Sequence, residues 1–184
     1  MADVRNAQFQ ALVAPHLERL FRVACRLLGN SADARDLVQD TCVIACENLA
    51  ELSAAPNPQR WLLRVQRNRF IDRVRRRQRA PVVPLKDPAR TERLASTDAG
   101  PDELLQQDEA GQALDRAFQK LDQTQRLLLS LRAEGHGLAD IEHITGIGRE
   151  VLRARLHRAR LSLAQHLEAQ DTSAPQLGRI GSKT

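Results

Sequence analysis

The sequence contains no tyrosine, few other aromatic residues and no long apolar run. Aromatic residues make up 3% of its 184 residues, and no segment approaches the roughly 20 apolar residues that a membrane-spanning helix needs. The first residues, MADVRNAQF, lack the hydrophobic segment of a secretion signal. We therefore expect a cytoplasmic protein that makes no contact with a membrane.

Metal-ligating patterns are also missing. The three cysteines, Cys25, Cys42 and Cys46, form an odd count without the paired spacing of a metal site, and none has a neighbouring histidine in sequence. Cys42 and Cys46 stand one helical turn apart, and free cysteine is commonly buried. We interpret all three as buried small apolar residues, and we expect neither a metal nor another cofactor.

Signs of catalysis are equally sparse. The sequence has no Gly-rich phosphate loop and no cluster of carboxylates around a pocket-like motif. Asp33, Asp36 and Asp40 imitate a metal site in their spacing, but a helical row spreads them along a surface. We therefore expect that the protein is not an enzyme.

Helix-forming residues dominate what the sequence does contain. Ala, Leu, Arg, Gln and Glu are abundant, β-branched runs are few, and isolated Gly and Pro residues interrupt the chain. The apolar share of 42% can supply one ordinary core or two small helical ones. The composition predicts an all-α fold.

Positive charge is concentrated in two segments. The net charge is only +5, but residues 60–79 carry nine arginines against the single acid Asp72, and a second basic cluster covers residues 149–160. Basic clusters on helices are typical of proteins that bind a polyanion.

Apolar periodicity divides the first 79 residues into three helices. The spacing predicts a first helix over residues 9–28, which the next glycine ends. Asn30 or Ser31 caps a second helix that continues to about residue 50. Two prolines in SAAPNP interrupt the pattern, and a third helix then reaches Arg79. The second helix is predicted to bury one stripe: Val38, Cys42, Ala45 and Leu49.

The remainder of the chain divides into a connecting segment, a second domain and a tail. Residues 80–101 contain four prolines and no sustained periodicity, which indicates a flexible linker. Residues 102–170 predict a second helical domain, and residues 171–184 a disordered tail. The expected architecture is two helical domains, with residues 1–79 forming the first and a helix-turn-helix in the second.

The helix-turn-helix is predicted from a short Gly-containing turn, GIG, between two helices of the second domain. In the later helix, Leu152, Leu156, Ala159 and Leu163 form one narrow stripe that we expect to be buried. The opposite side would then enter a DNA major groove, although an ordinary exposed basic face is the simpler alternative. That side carries Glu150, Arg153, Ala154, His157 and Arg158.

Two further surfaces stand out in the first domain. In the segment from Trp61 to Arg79, Phe70, Ile71 and Val74 project to one side of the helix. A row of arginines projects to the other side, and binding to phosphates explains this row better than solvation alone. A solvated face remains the alternative. That row is Arg69, Arg73 and Arg76.

The second helix shows the reverse polarity. Opposite its core stripe, Asp33, Asp36, Asp40 and Glu47 form an acidic line. Apolar residues flank the acidic line, and solvation alone does not explain apolar side chains at these positions. The pattern therefore favours a protein interface, and single exposed apolar side chains are the alternative. These apolar residues are Leu37, Val43 and Ile44.

Together these segments resemble a bacterial sigma factor of the extracytoplasmic-function (ECF) group. The resemblance covers roughly residues 9–79 and 114–167. The stretch DARDLVQDT is similar to the helix with which the family docks on the β′ clamp helices of RNA polymerase. NPQRWLLRVQRNRFID is similar to the segment that melts and reads the minus-10 element, and GIGREVLRARLHRAR to the minus-35 recognition helix.

The resemblance implies roles for individual residues. The family's partners are core RNA polymerase, through the β′ clamp helices and the β flap, promoter DNA, and in many relatives an anti-sigma protein that wedges between the domains. The implied polymerase-binding residues are Asp33, Asp36, Leu37, Gln39 and Asp40. The implied minus-10 residues are Asn57, Arg60, Asn68, Arg69, Arg73 and Arg76, while Trp61 is interpreted as a core anchor. The implied minus-35 residues are Arg149, Arg153, Ala154, His157 and Arg158.

Four positions depart from the family pattern. Arg35 stands where Glu is usual, Glu142 where Ala is usual, Gly148 where Pro is common, and Ala154 where Ser is common. The departures affect the minus-35 preference more than the fold. The alternative function, a dimeric helix-turn-helix regulator that acts without polymerase, accounts for the second domain but leaves the arginine row and the acidic line unassigned.

Overall fold

The structure is a computed structural model that describes residues 2–79 and 109–173, and every regular element in these two ranges is a helix. The all-α prediction is therefore confirmed. No helix within these ranges is both long and apolar enough to cross a membrane. The predicted linker, 80–101, lies outside the described residues.

The described chain forms nine α-helices and one short 3₁₀ turn. The N-terminal group is α1 (Ala2–Val13), the 3₁₀ turn (Ala14–His16), α2 (Leu17–Leu28), α3 (Ser31–Glu47), α4 (Leu49–Ala54) and α5 (Pro58–Arg79). The C-terminal group is α6 (Glu109–Gln119), α7 (Gln123–Ala133), α8 (Leu138–Thr145) and α9 (Arg149–Ser173).

The single first helix predicted over residues 9–28 is wrong, because two helices occupy this stretch and the first begins already at Ala2. Pro15 lies in the 3₁₀ turn between them, where its ring and missing N–H disfavour a continuous helix. The predicted end is confirmed: Gly29 adopts a left-handed conformation with φ 77° and closes α2 by donating to the Cys25 carbonyl at 2.8 Å.

Helix α3 begins as predicted but buries a different stripe. Asn30 is the N-cap, and its side chain accepts a hydrogen bond from the Asp33 amide at 2.7 Å. The helix ends at Glu47, and Leu49 belongs to α4. The buried residues of α3 are Ala34, Leu37, Thr41 and Ala45, whereas Val38 and Cys42 are only partly buried.

Helix α5 begins at Pro58, whose fixed φ suits the first turn of a helix. It buries Leu62, Leu63, Gln66 and Phe70 against the N-terminal group. Gln66 is fully buried and donates to the Leu20 carbonyl of α2 at 2.8 Å, so one polar contact fixes α5 on α2. Its amide oxygen has no hydrogen-bond partner among the described residues.

In the C-terminal group, α8 and α9 are joined by a three-residue turn. Gly146 is left-handed with φ 70°, and its amide donates to the Glu142 carbonyl at 2.7 Å. Ile141, Ile144 and Leu152 are buried across the turn, so the two helices share one core. Helix α9 continues to Ser173, beyond the predicted domain end at residue 170.

The two helical groups pack directly against each other in the described conformation. Helix α2 lies on α7, and α5 lies on α8. The buried apolar side chains of both groups belong to one contact cluster. This packing brings residues of the C-terminal group onto surfaces that the sequence predicted to be exposed.

Candidate nucleic-acid interface

Helix α9 presents the predicted face to solvent. Leu152, Leu156 and Ala159 are buried, as the periodicity predicted, and Leu163 is partly buried. The burial of this stripe leaves the opposite side free to approach another molecule. All five residues predicted on that side are exposed: Glu150, Arg153, Ala154, His157 and Arg158.

Arginines at the start of α9 are already paired with acids of the same group. Arg149 donates to the Glu142 carboxylate at 2.6 Å, and Arg153 forms an ion pair with Glu150. Within the described part of the chain, Arg158 makes no ion pair, and its Nε donates to the Ala154 carbonyl at 3.4 Å. Arg158 is therefore the arginine of this face that a base edge meets without first displacing an acid.

The arginine row on α5 is interrupted by ion pairs to α3. Arg73 contacts Asp40 at 2.8 Å and Arg77 contacts Asp33 at 3.2 Å. The expectation that Arg73 is free for phosphate is wrong, because packing of α5 on α3 brings it to this carboxylate. Arg76 is exposed, and Arg69 is partly buried.

Asp33 is held mainly by its own helix cap. The hydrogen bond from Asn30, at 3.1 Å, lowers the pKa of the Asp33 carboxyl, with further lowering by Arg77 and Arg73 against the opposing effect of burial. The acidic line is therefore split. Asp33 and Asp40 bind arginines of α5, and Asp36 remains exposed.

Asn68 is exposed and lines a shallow cavity of about 340 Å³ on α5. Its side-chain oxygen accepts a hydrogen bond from Arg67 at 3.0 Å. Partial burial, together with the neighbouring Arg64 and Arg75, lowers the pKa of the Arg67 guanidinium. The cavity is thus rich in cationic donors, which suits a phosphate or a base oxygen.

A second cavity of about 510 Å³ lies beside the turn between α4 and α5. Asn57 and Arg60 line it together with Trp61, which is partly buried and packs on the core. Asn57 accepts a hydrogen bond from the Arg60 amide at 3.0 Å and so caps α5. His143 of α8 forms part of the same wall.

The polymerase-facing surface predicted on α3 needs one correction. Leu37 has no exposed surface, because α3 turns this side toward the core. Asp36, Gln39 and Asp40 are exposed, and Val43, 52% exposed, continues their face one turn further along. The exposed face consists of Asp36, Gln39, Asp40, Val43 and Glu47.

The cysteines are less buried than predicted. Cys25 and Cys42 are partly buried, and burial raises the pKa of both thiols, whereas Cys46 is exposed, so its predicted burial is wrong. Across the two described ranges, no three histidine, cysteine or acidic side chains are grouped closely enough to hold a metal ion.

A buried carboxylate at the contact of the two groups was missed from the sequence. Glu134, the residue that follows α7, has a side chain that is only 4% exposed. Arg22 contacts its carboxylate at 2.9 and 3.1 Å, Arg26 at 2.7 Å and Arg19 at 3.3 Å. The row Arg19, Arg22 and Arg26 on α2 is visible in the sequence, but its partner lies more than 100 residues away.

The electrostatics of Glu134 follow from this arrangement. Burial alone raises the pKa of a carboxyl, but the hydrogen bonds from Arg22 and Arg26 outweigh it and lower the pKa of Glu134 to about 2. The carboxylate therefore stays charged throughout the neutral range. Its contribution to the contact is fully present above the ordinary pKa of 4.5 and is lost only as pH falls toward about 2.

Comparison with known proteins shows which family the chain is similar to. The model of the Sigma-70 region 2 family matches residues 12–80. The ECF RNA polymerase sigma factor SigL of Mycobacterium tuberculosis is 32% identical over 166 residues, with 86% of this chain and 88% of SigL covered. The ECF RNA polymerase sigma factor SigE of Mycolicibacterium smegmatis is 30% identical over 90% of this chain, which spans 63% of the length of SigE.

A solved structure of a sigma factor is also similar to this chain. The sigma factor RpoE of Bartonella quintana, in complex with the anti-sigma factor NepR, matches with a TM-score of 0.68 and 25% identity. The match covers 87% of this chain and 96% of RpoE. The chain belongs to the ECF family of RNA polymerase sigma factors.

Proposed function

We propose that the protein is an alternative sigma factor that binds core RNA polymerase and directs promoter recognition and DNA opening, without catalysing a reaction itself. It would act in the cytoplasm, where polymerase and promoter meet. Its domains are proposed to be residues 1–79 for polymerase docking and the minus-10 element, and residues 102–170 for the minus-35 element, joined by residues 80–101.

One observation supports this proposal above the others. The same chain carries an exposed face with acids and Val43 on α3 and an exposed basic face on α9, in different helical groups. A face of mixed acidic and apolar character suits a protein partner, whereas the α9 face suits DNA. A sigma factor needs both surfaces in one molecule.

The division of labour follows from the chemistry of each surface. Asp36, Gln39 and Asp40 would contact the β′ clamp helices, and the C-terminal group would contact the β flap. Asn57, Arg60 and Asn68, with the α5 arginines, would hold the opened minus-10 strand, because an unstacked base needs amide hydrogen bonds and its backbone needs cations. The α9 face would read and hold the minus-35 element.

A dimeric regulator remains the second candidate, because an exposed basic helix after a short turn also fits that class. A gel shift without polymerase separates the two. A sigma factor alone should bind promoter DNA weakly, whereas a regulator should bind a palindrome tightly as a dimer.

The decisive experiment captures the full-length protein from its host and identifies what is bound. We expect the β and β′ subunits of RNA polymerase in the capture, with less of both when Asp36 is replaced by Arg. The Asn57→Ala variant is the matched control, because it lies on the DNA-facing side and should retain core enzyme. Absence of polymerase subunits from the wild-type capture would contradict the proposal. An anti-sigma protein, as bound to the Bartonella relative, would be identified in the same way.

A further inference from the structure

An acidic residue, Glu51, lines the cavity beside the turn between α4 and α5. It lies on α4 and is exposed. Within the described part of the chain, its carboxylate forms no ion pair and accepts no side-chain hydrogen bond. The carboxylate is therefore free to accept hydrogen bonds from a group that enters the cavity.

The hydrogen-bond donors of this cavity come from the start of α5. Asn57 uses its side-chain oxygen to accept from the Arg60 amide at 3.0 Å, so the nitrogen of its side-chain amide remains as a donor. Arg60 pairs with Asp140 of α8 at 3.3 Å through one terminal nitrogen, and its Nε is buried without a hydrogen-bond partner among the described residues. Two neighbouring side chains thus supply donors, while the acceptor comes from the helix before the turn.

The size and the apolar walls of the cavity suit a single base. Its volume of about 510 Å³ lies within the range of about 300–1,000 Å³ that is typical of small-ligand pockets. A base taken out of its stack is held by apolar or aromatic walls and is read through hydrogen bonds to its Watson–Crick edge. The apolar walls here are Ala54, Ala55, Pro56 and Trp61.

The four bases differ in the order of donors and acceptors along that edge. Cytosine has an amino group at one end, followed by the acceptors N3 and O2. Adenine has an amino group and the acceptor N1. Thymine has its N–H donor between two carbonyl oxygens, and guanine has one carbonyl oxygen followed by two donors. An acceptor that stands beside two neighbouring donors therefore complements cytosine most fully.

From this complementarity, and resting on the proposed function, we propose that Glu51 is a specificity-determining residue that selects cytosine as the unstacked base of the minus-10 element. The Glu51 carboxylate accepts from the amino group of cytosine, while Asn57 and Arg60 donate to N3 and O2. Thymine brings a carbonyl oxygen against the Glu51 carboxylate and is disfavoured, because two acceptors repel each other. Adenine satisfies Glu51 and one donor, so it ranks second.

Binding of single-stranded DNA to the holoenzyme tests this assignment. Core polymerase with the full-length protein is titrated with non-template-strand oligonucleotides that carry the minus-10 element upstream of a mapped start site. Each position of the element is replaced in turn by each of the four bases. We expect one position at which cytosine binds about tenfold more tightly than thymine.

The Glu51→Gln variant keeps the size of the side chain, removes its charge and adds a donor. It should reduce the ratio of cytosine to thymine binding at that position to about threefold or less. The ratio is the readout, because loss of a negative charge beside DNA strengthens binding of every oligonucleotide. Thermal unfolding should not change, since Glu51 is exposed.

The matched control is Glu18→Gln, which neutralises an exposed acid on α2 that does not line the cavity. This variant should keep the tenfold ratio. A holoenzyme without a cytosine-preferring position would overturn the assignment of Glu51, as would a preference that Glu51→Gln leaves intact. Both results leave the sigma-factor function in place, because the holoenzyme and its start sites are already in hand. A protein that forms no holoenzyme would contradict the proposed function and this assignment together.

Discussion

The arginines on α9 differ in whether they form ion pairs with acidic side chains, and this difference predicts their roles. Arg149 is bound by Glu142, whereas Arg158 makes no ion pair within the described residues. An arginine that reads guanine loses discrimination when it is truncated, while one that neutralises phosphate weakens all sequences equally.

The Arg158→Ala variant should reduce the difference between matched and mutated minus-35 elements by about 1–3 kcal/mol. Arg149→Ala should lower affinity equally for both and reduce the salt slope by about one unit. Holoenzyme binding to both promoter versions at several salt concentrations measures the two effects. An equal loss of affinity for both promoters with Arg158→Ala would show that Arg158 binds phosphate and does not read a base.

Glu142 is the family departure for which the structure gives a physical role. Its carboxylate holds Arg149 and therefore competes with a DNA phosphate for the same guanidinium. Glu142→Ala should strengthen holoenzyme binding to all sequences by a similar factor. The combination Glu142→Ala with Arg149→Ala should remove this gain, and a gain that survives the double replacement would contradict the competition.

At the scale of the helix, α3 illustrates what periodicity does not determine. Apolar or small residues occur on two overlapping rows of this helix that share Ala45. From the sequence we predicted the row of Val38 and Cys42, which is only partly buried. The neighbouring helices determine which row is buried, because α2 and α5 pack on the side that contains Leu37. Helix existence, the Asn30 cap and the Gly29 end follow from local chemistry and were predictable, whereas the buried face depends on contacts distant in sequence.

The corrected face of α3 leads to a paired prediction. Asp36→Arg should weaken association with core polymerase by about 1–3 kcal/mol and leave thermal stability nearly unchanged, because Asp36 is exposed. Leu37→Ala should instead cost about 2–5 kcal/mol of folding stability, since it empties a buried site. Thermal unfolding and core-binding titrations on both variants test this. A destabilised Asp36→Arg or a fully stable Leu37→Ala would contradict the assignment.

At the scale of the whole molecule, the contact between the helical groups could not be predicted from the sequence. The basic row on α2 is readable as a pattern, and so is the turn after α7. Nothing local indicates that Glu134 meets that row, because the pairing depends on how the two helical groups dock. The same holds for Asp140 and Arg60, which the sequence places in unrelated segments.

His136 is a buried titratable residue at that contact. It is 7% exposed and is faced by Asp140 of α8, Arg19 of α2, Glu134 and Arg60 of α5. Burial is the main cause that lowers the pKa of His136 from its ordinary 6.5, with Asp140 and Glu134 opposing and the two arginines adding to the effect. The neutral ring is therefore favoured in the folded protein.

The stability that His136 contributes should be fully present above pH 6.5 and lost as pH falls through its lowered pKa. One proton gives a slope of at most about 1.4 kcal/mol per pH unit. Denaturant unfolding between pH 8 and 5 should show a shallower decline for His136→Gln than for the wild type. Burial, with Arg19 adding to it, also lowers the pKa of His16, so the difference between the two proteins is the relevant quantity. The exposed His157→Gln is the control, and identical slopes for all three proteins would contradict this effect.

The central claim is that this chain redirects RNA polymerase, and transcription in vitro tests it most directly. Core polymerase from the host is supplied with genomic DNA, with and without the full-length protein, and the 5′ ends of the transcripts are mapped. We expect new start sites that share two upstream elements, that disappear with Asp36→Arg and that weaken with Arg158→Ala. Unchanged start sites, from a polymerase that has bound the protein, would contradict the account.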